Sequence, residues 1–481
     1  MKILFTHSYF YRLDEKQWRF RQPYPPYGTL LAAAIMRREG FEVVLFDSNL
    51  KQNPSEIKQV IESFKPDYLV VFDDNFNYLS KMCLTVMREA AFKLIQHGKE
   101  AGCKVLMNSS DATDYPEKYL GAGADVVMMG EAEMTLHELL LNGLQHPETC
   151  EGIACLVDGN LFKTQRRAIL KDPDALPMPA WDLIDMDAYR KIWITAHGFF
   201  SLNIATTRGC PFKCNWCAKP IYGSRYICRS PQAVVEEMKL LMLDHQATHF
   251  WVSDDIFGLK PGWVKEFSRL LEENSLAPRL KIQCRADLLL KEDTIDDLVA
   301  AGLDEVWIGA ESGSQKILDA MDKGTTVEQI YKATQLLKLK GVKVCFFLQY
   351  GYLGEMAEDI ELTLKMVQQL MPYNIGISVS YPLPNTGFYE KVKAQLQTKQ
   401  NWTDSHDLAM MYKGSFSPEF YRHLHKHTHY VFRHKASMIN LKKIFSVRHV
   451  NTTEIKSAIK YPYLAIAEKL SHKKLKALQK N

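Results

Sequence analysis

The sequence predicts an α/β chain in three parts. A doubly wound, Rossmann-like sheet spans residues 1–145, a partial (β/α)6 barrel of TIM type spans 196–395, and a helical region spans 396–481, with 146–195 as a linker. Two runs of strand–helix alternation predict the first two parts, and the loss of strand patterning after about residue 395 predicts the third. At 481 residues the chain exceeds what one ordinary core can organise.

The first part opens on KILFT (2–6). A helical stretch over 29–39 ends at Gly40, and FEVVLF (41–46) follows. Residues 54–64 read as a helix, YLVVF (68–72) as a strand and 81–101 as a long helix, with strands KVLM (104–107) and DVVMM (125–129) after it. Short β-branched runs between helices argue for a parallel sheet covered on both faces, with ligands at the carboxyl ends of its strands. Residues 150–190 lack periodicity and carry Pro177 and Pro179 in LPMPAWDLID, as an irregular strap would.

The alternation then resumes in a tighter rhythm. Strands are predicted at 202–206, 249–253, 280–284, 305–309, 343–348 and 376–381. Helices are predicted near 231–244, 263–273, 294–301, 314–321, 327–340 and 358–371. Six repeats make an open barrel, since a closed eight-fold one takes ~250 residues. Chemistry in such barrels gathers at strand carboxyl ends.

Composition is that of a globular protein, with 46% hydrophobic and 24% charged residues. No apolar run approaches the ~20 residues that cross a bilayer. The opening MKILFTHSYF has no export signal, so a cytoplasmic location is expected. The net charge of +4 is segregated. From Tyr421 onward 14 Lys and Arg face only Glu454 and Glu468, a net +12 on a body of net −8. That region also alternates His423, His425, His427 and His429, a spacing that spreads imidazoles around a helix and suits a solvated or phosphate-facing cluster. Its lysines interleave with apolar residues in LKKIF and HKKLKAL. Such a helix either caps the barrel or lies on anionic lipid; no nucleic-acid recognition module is visible.

Of ten cysteines, Cys210, Cys214 and Cys217 crowd into ATTRGCPFKCNWCAKP (205–220), directly after the first barrel strand. Thiols of a large unexported chain stay reduced, so this crowding reads as metal binding or catalysis. The C-x3-C-x2-C spacing wraps three thiolates around one corner of a small inorganic core. Three ligands for four irons leave one iron open to substrate. Phe212 and Trp216 can exclude water, and Gly209 and Pro211 suit a constrained turn. The alternative is a closed zinc knuckle with Cys228 as fourth ligand.

This loop on a partial βα barrel resembles the radical SAM superfamily. The resemblance implies a [4Fe–4S] cluster on Cys210, Cys214 and Cys217. Its open iron would hold the amine and carboxylate of S-adenosylmethionine (SAM), whose reductive cleavage yields methionine and a 5′-deoxyadenosyl radical. Later strand ends extend the likeness. SDDIF puts Asp254 and Asp255 where the superfamily holds the SAM amine, although the usual Gly-Gly-Glu text is absent, and the pair could equally cap a helix. Arg285 in CRADLLL ends the third strand, within reach of a carboxylate or in a structural ion pair. GAESGS (309–314) resembles the ribose and carboxylate segment, with Glu311 accepting from ribose and Ser312 assisting, or else Ser312 or Ser314 capping the next helix. LQYGYLGEMAED (348–359) resembles a Gly-Pro-Gly-Glu turn with Leu353 in place of proline. YPLPNTGFYE (381–390) resembles the adenine-side loop, with main-chain groups near Tyr381 and Leu383 facing adenine.

The leading domain is similar to that of the cobalamin-dependent branch. PYPPYGTLLAAAIMRREGFEV (23–43), NSSDATDYPEKYL (108–120) and ADVVMMGEAE (124–133) carry this likeness. It implies cobalamin contacts at Tyr27, Gly28, Ser109, Gly130 and Glu131. The Asp-x-His-x-x-Gly motif that gives cobalt a histidine is absent. The branch implies methylation of an unactivated carbon in a small-molecule or lipid substrate, with cyclisation or ring rearrangement as the nearest alternative. An external electron donor such as flavodoxin or ferredoxin is also implied. A zinc- or cobalamin-binding regulatory protein is the rival from another class.

Overall fold

Apolar runs in the first 163 residues become one seven-stranded sheet. Its strands are β1 (Lys2–Thr6), β2 (Glu42–Phe46), β3 (Tyr68–Phe72), β4 (Lys104–Asn108), β5 (Val126–Met128), β6 (Ile153–Val157) and β7 (Asn160–Lys163), in the order β2-β1-β3-β4-β5-β6-β7. The computed structural model describes residues 1–479 except 83, 397, 400 and 447–451. β1 to β5 are parallel, and β6 and β7 join antiparallel at one edge. All five side chains of β3 are buried, as a central parallel strand with helices on both faces requires. The order reverses between β1 and β3, where doubly wound sheets open a crevice. Separate apolar layers built around Leu94 and Val105 on one face and Ile35 and Leu136 on the other fill the two sides.

The expectation of irregular backbone over 150–190 is corrected by this hairpin. β7 is exposed throughout and β6 is buried only over its first three residues, so the edge pair has little hydrophobic alternation to read. A helix over Met186–His197 was likewise unread. It buries Met186, Tyr189 and Trp193, is capped by Asp185 onto the Ala188 N–H, and ends at Gly198 with φ 77°.

The second sheet contains β8 (Ser201–Ile204), β11 (His249–Val252), β12 (Arg279–Cys284), β13 (Leu303–Glu311), β14 (Lys343–Tyr350) and β15 (Asn374–Val379), all parallel and in that order. β8 and β15 end the sheet without pairing to each other, so the barrel is open. β9 (Thr207–Arg208) and β10 (Ile227–Cys228) form a separate antiparallel pair that pinches off the cysteine loop. β13 extends two residues beyond the expected Gly309. The register slips between Gly309 and Glu311, and Glu311 takes φ 56°. Such a bulge re-aims a side chain. One buried apolar cluster runs from Tyr27 and Phe76 of the first unit through Trp181 and Trp193 into the barrel, so the two units share a core.

Helices Pro418–Ser446, Thr452–Ile459 and Tyr461–Leu478 close the chain. The histidines do not form a solvated cluster. His423 Nε2 lies 2.9 Å from the Ser471 carbonyl and the His427 ring packs 5.6 Å from His472, whereas His425 and His429 pack 4.8 Å apart on the other side. Burial pushes His425 down to about 3 and His427 and His429 down to about 4. Among the described residues no helix is long and apolar enough to cross a membrane.

Candidate functional site

The cysteine loop projects from the end of β8 toward the carboxyl ends of β4 and β5, and its position is over-determined. Gly209, with φ 77°, lies so close to the Arg225 carbonyl that a Cβ would collide with it. Asn215 is the central anchor. Its N–H and Nδ2 donate to the carbonyls of Met321 (3.0 Å) and Ala320 (2.9 Å), and Nδ2 also donates to Asp322 (2.7 Å). Its Oδ1 accepts from the Tyr352 hydroxyl at 2.6 Å, and its carbonyl from the Phe388 N–H at 2.8 Å. Lys219 donates back to the Phe212 carbonyl. Three barrel segments therefore hold one loop residue.

Two buried cations flank the loop. Arg285 stacks over the Phe212 ring at 3.7 Å, donates to the Lys323 carbonyl at 2.6 Å and pairs with Asp287 at 2.9 Å. Its Nη1 also lies 3.8 Å from the Cys214 sulfur. The bulge delivers Glu311 to Lys323 at 2.8 Å, with both side chains buried. Burial opposes the lysine charge, but Glu311 and Cys214 outweigh it and hold its pKa above the usual value. Burial pushes the Cys217 thiol up to about 12, with Asp255, Cys210 and Cys214 adding to it, and raises Cys210 as well. The free Cys210 and Cys217 thiols therefore hold their protons, which a bound metal core would displace.

The trio suits a cluster better than a zinc knuckle. Cys228 is hydrogen-bonded to the Tyr226 hydroxyl and feels the charges of Asp254 and Lys260 rather than those of the three cysteines. Cys214 and Cys217 open on a cavity of about 720 Å³ that Asp114, Arg166, Ser224 and Asn385 also line. Among the described residues no three metal-ligating side chains close on a single point; Cys214 and Cys217 border a space for a larger group. Asp114, which comes from the first unit, is raised to about 6 by burial. The room between strand ends and cysteine loop, with donors and acceptors from both units, fits a cofactor lying between them.

The other expected site residues take distinct places. Asp254 is spent on structure, accepting from the N–H groups of Thr206 (2.7 Å) and Thr207 (3.0 Å). Burial still raises it to about 6. Asp255 is the acid whose charge bears on Cys210 and Cys217, and it meets Lys81 of the first unit at 2.6 Å. Ser312 lies 3.2 Å from the Thr363 hydroxyl and accepts from the Ser314 N–H, which fixes the turn after β13. The Tyr381 ring stacks on Trp402 at 4.4 Å and its hydroxyl reaches Asn401, while the Leu383 N–H donates to the Tyr381 carbonyl.

In the first unit the five expected residues are not gathered at one point. The Tyr27 hydroxyl donates to Glu237 at 3.2 Å and accepts from Arg229 at 2.9 Å, beside a separate cavity of about 180 Å³. Gly28 donates to Asp74 and leaves a Cβ only 3.2 Å from the Asn75 nitrogen. Ser109 caps the Ala112 N–H, and the Gly130 N–H donates to Thr113. Glu131 accepts from the Leu170 N–H and, with Glu133, pairs with Arg208. Among the described residues, buried Asp74 Oδ2 and Ser110 Oγ on one side and Arg208 Nη2 on the other meet no hydrogen-bond partner, so this interface still has polar capacity for a ligand. Asn215, Lys323, Lys81 and Arg208 were missed by the sequence reading. Arg208, two residues before the first cysteine, and Asn215, between the second and third, carried a local signal by their place in the motif.

Residues 204–367 match the radical SAM superfamily. An uncharacterised methyltransferase of Pyrococcus horikoshii is 26% identical over 79% of this chain and 81% of its own length. The anaerobic magnesium-protoporphyrin IX monomethyl ester cyclase of Rubrivivax gelatinosus is 25% identical over 82% of this chain and 70% of its own. Among solved structures, the cobalamin-dependent S-adenosylmethionine radical enzyme OxsB, with aqua-cobalamin and S-adenosylmethionine bound, superposes with a TM-score of 0.73. That match covers 98% of this chain and 71% of the other at 16% identity, a likeness of fold.

Proposed function

We propose that this chain, whose residues 204–367 match the radical SAM superfamily, is a cobalamin-dependent radical SAM enzyme that methylates an unactivated carbon of a small-molecule or lipid substrate. The observation that carries this reading is the cysteine loop itself, held at the barrel mouth by Asn215 and tied by Arg208 to the strand ends of a doubly wound sheet. When bound, the [4Fe–4S] cluster, SAM and cobalamin supply a reductant for the sulfonium, a hydrogen-abstracting carbon radical and a transferable methyl group.

In this reading residues 1–145 hold cobalamin, 196–395 hold cluster and SAM, 396–481 cap the barrel, and 146–195 join the first two. Cys210, Cys214 and Cys217 are the cluster ligands. Asp255 accepts from the SAM amine while Asp254 fixes the strand end beside it. Arg285 and Lys323 place positive charge beside Cys214, where an anionic carboxylate would also be held. Glu311 and Ser312 serve the ribose, and backbone groups at Tyr381 and Leu383 the adenine. Ser109, Gly130 and Glu131 border cobalamin, with Tyr27 and Gly28 supporting its rim. Phe212 and Trp216 exclude water. A cytoplasmic reductant, a flavodoxin or ferredoxin, supplies the electron, and the basic C-terminal region holds the protein against a membrane surface.

Cyclisation without methyl transfer is the second reading, favoured by the likeness to the Rubrivivax cyclase over 82% of the chain. Anaerobic turnover separates them. Methylation produces S-adenosylhomocysteine alongside 5′-deoxyadenosine, whereas 5′-deoxyadenosine alone in the presence of substrate and cobalamin would leave only the second reading.

A further inference from the structure

Helix Tyr461–Leu478 is amphipathic in two senses. Its inner face buries Leu464, Ser471 and Leu475 against helix Pro418–Ser446. Its outer face carries Tyr463, Ile466 and Leu470, which are 64%, 62% and 63% exposed and stand on one stripe at i, i+3 and i+7. Large apolar side chains in such a row are not ordinary surface scatter. Lys469, Lys473 and Lys476 are exposed beside them. The two acids of the region are turned to internal partners, Glu454 to Lys443 and Glu468 to His434 at 2.5 Å. Among the described residues none of those three lysines meets a carboxylate.

We propose that this outer face is a docking surface for an anionic lipid bilayer, with Tyr463, Ile466 and Leu470 entering the headgroup boundary and the three lysines meeting lipid phosphates. The proposal deepens the membrane contact named above and rests on it. An apolar stripe rimmed by cations matches a surface that is apolar beneath and negative above. A nucleic acid would use the lysines and leave the stripe in water. A second copy of the chain would bury the stripe but set like charges opposite one another. Docking here places the barrel beside a reservoir of amphiphilic substrate.

The test is sedimentation of the full-length protein with phosphatidylcholine vesicles, with and without added phosphatidylglycerol, and with the Ile466→Glu/Leu470→Glu variant alongside. Binding is expected to be about tenfold or more stronger to the anionic vesicles and weakened by salt, and the variant is expected to lose about tenfold or more of it. Its melting temperature and anaerobic SAM cleavage should stay as in the wild type. Vesicle binding that the variant retains would overturn this face while leaving a membrane contact elsewhere. No binding of the wild type to either vesicle would overturn both. A wild-type dimer that the variant converts to monomer, without vesicle binding, would assign the stripe to a second copy and overturn the lipid.

Discussion

Glu311 and Lys323 are buried opposite charges with side chains only 6% and 7% exposed, so removing one strands the other. Lys323→Met is expected to lower stability by about 3–5 kcal/mol, and the Lys323→Met/Glu311→Leu double variant by clearly less, because the orphaned carboxylate is gone. Chemical denaturation of the three proteins checks this, and equal losses would contradict it. Gly209→Ala forces a Cβ against the Arg225 carbonyl at φ 77° and should cost about 1–3 kcal/mol while reducing the iron bound after reconstitution. At this scale the legible residues were those with local chemistry. The three cysteines announced themselves by spacing, and Arg285 by its place at a strand end. The roles of Lys323 and Asn215 were not legible, because they arise from a bulge and from segments more than a hundred positions apart that only the folded barrel brings together.

Among the elements, helix Pro418–Ser446 makes the clearest prediction. Burial lowers His427 to about 4, with the charges of His472 and His423 adding, and lowers His429 to about 4, with Arg433 and Lys16 adding. Unfolded imidazoles bind protons more readily than these do. The stability they permit is therefore complete above about pH 6.5 and falls as pH drops toward 4. Hydrogen-exchange protection, taken relative to the intrinsic rate at each pH, should fall in 418–446 and 461–478 between pH 7 and pH 5 before it falls in the barrel strands, and a uniform response would contradict it. The long parallel strands and their helices were legible because burial on both faces produces unbroken apolar runs, as in YLVVF. The edge hairpin of β6 and β7 was not, since exposed strands lack that signature. The histidine spacing correctly implied two helix faces, but not that a following helix and the 405–407 loop would cover both.

At the scale of the molecule, Arg208 links the units. It is buried, pairs with Glu131 and Glu133, and lies 5.5 Å and 5.3 Å from the Phe76 and Tyr222 ring centroids. Arg208→Gln leaves two buried carboxylates without their counter-charge, at a cost of about 3–5 kcal/mol. It should open residues 164–180 to limited proteolysis and lower the cobalamin retained after gel filtration, whereas an unchanged digest and full retention would show the units held by other contacts. The three-part organisation was legible because each part has its own periodicity. The shared core was not, since Trp181 and Trp193 sit in a stretch whose pattern looked irregular. The central claim is that a [4Fe–4S] cluster on Cys210, Cys214 and Cys217 reductively cleaves SAM. Anaerobically reconstituted protein, reduced with dithionite and given SAM, should yield 5′-deoxyadenosine by mass spectrometry, and the Cys214→Ala variant none. Reconstituted wild type that holds four irons and four sulfides yet yields no 5′-deoxyadenosine, or a variant that yields as much as the wild type, would contradict it.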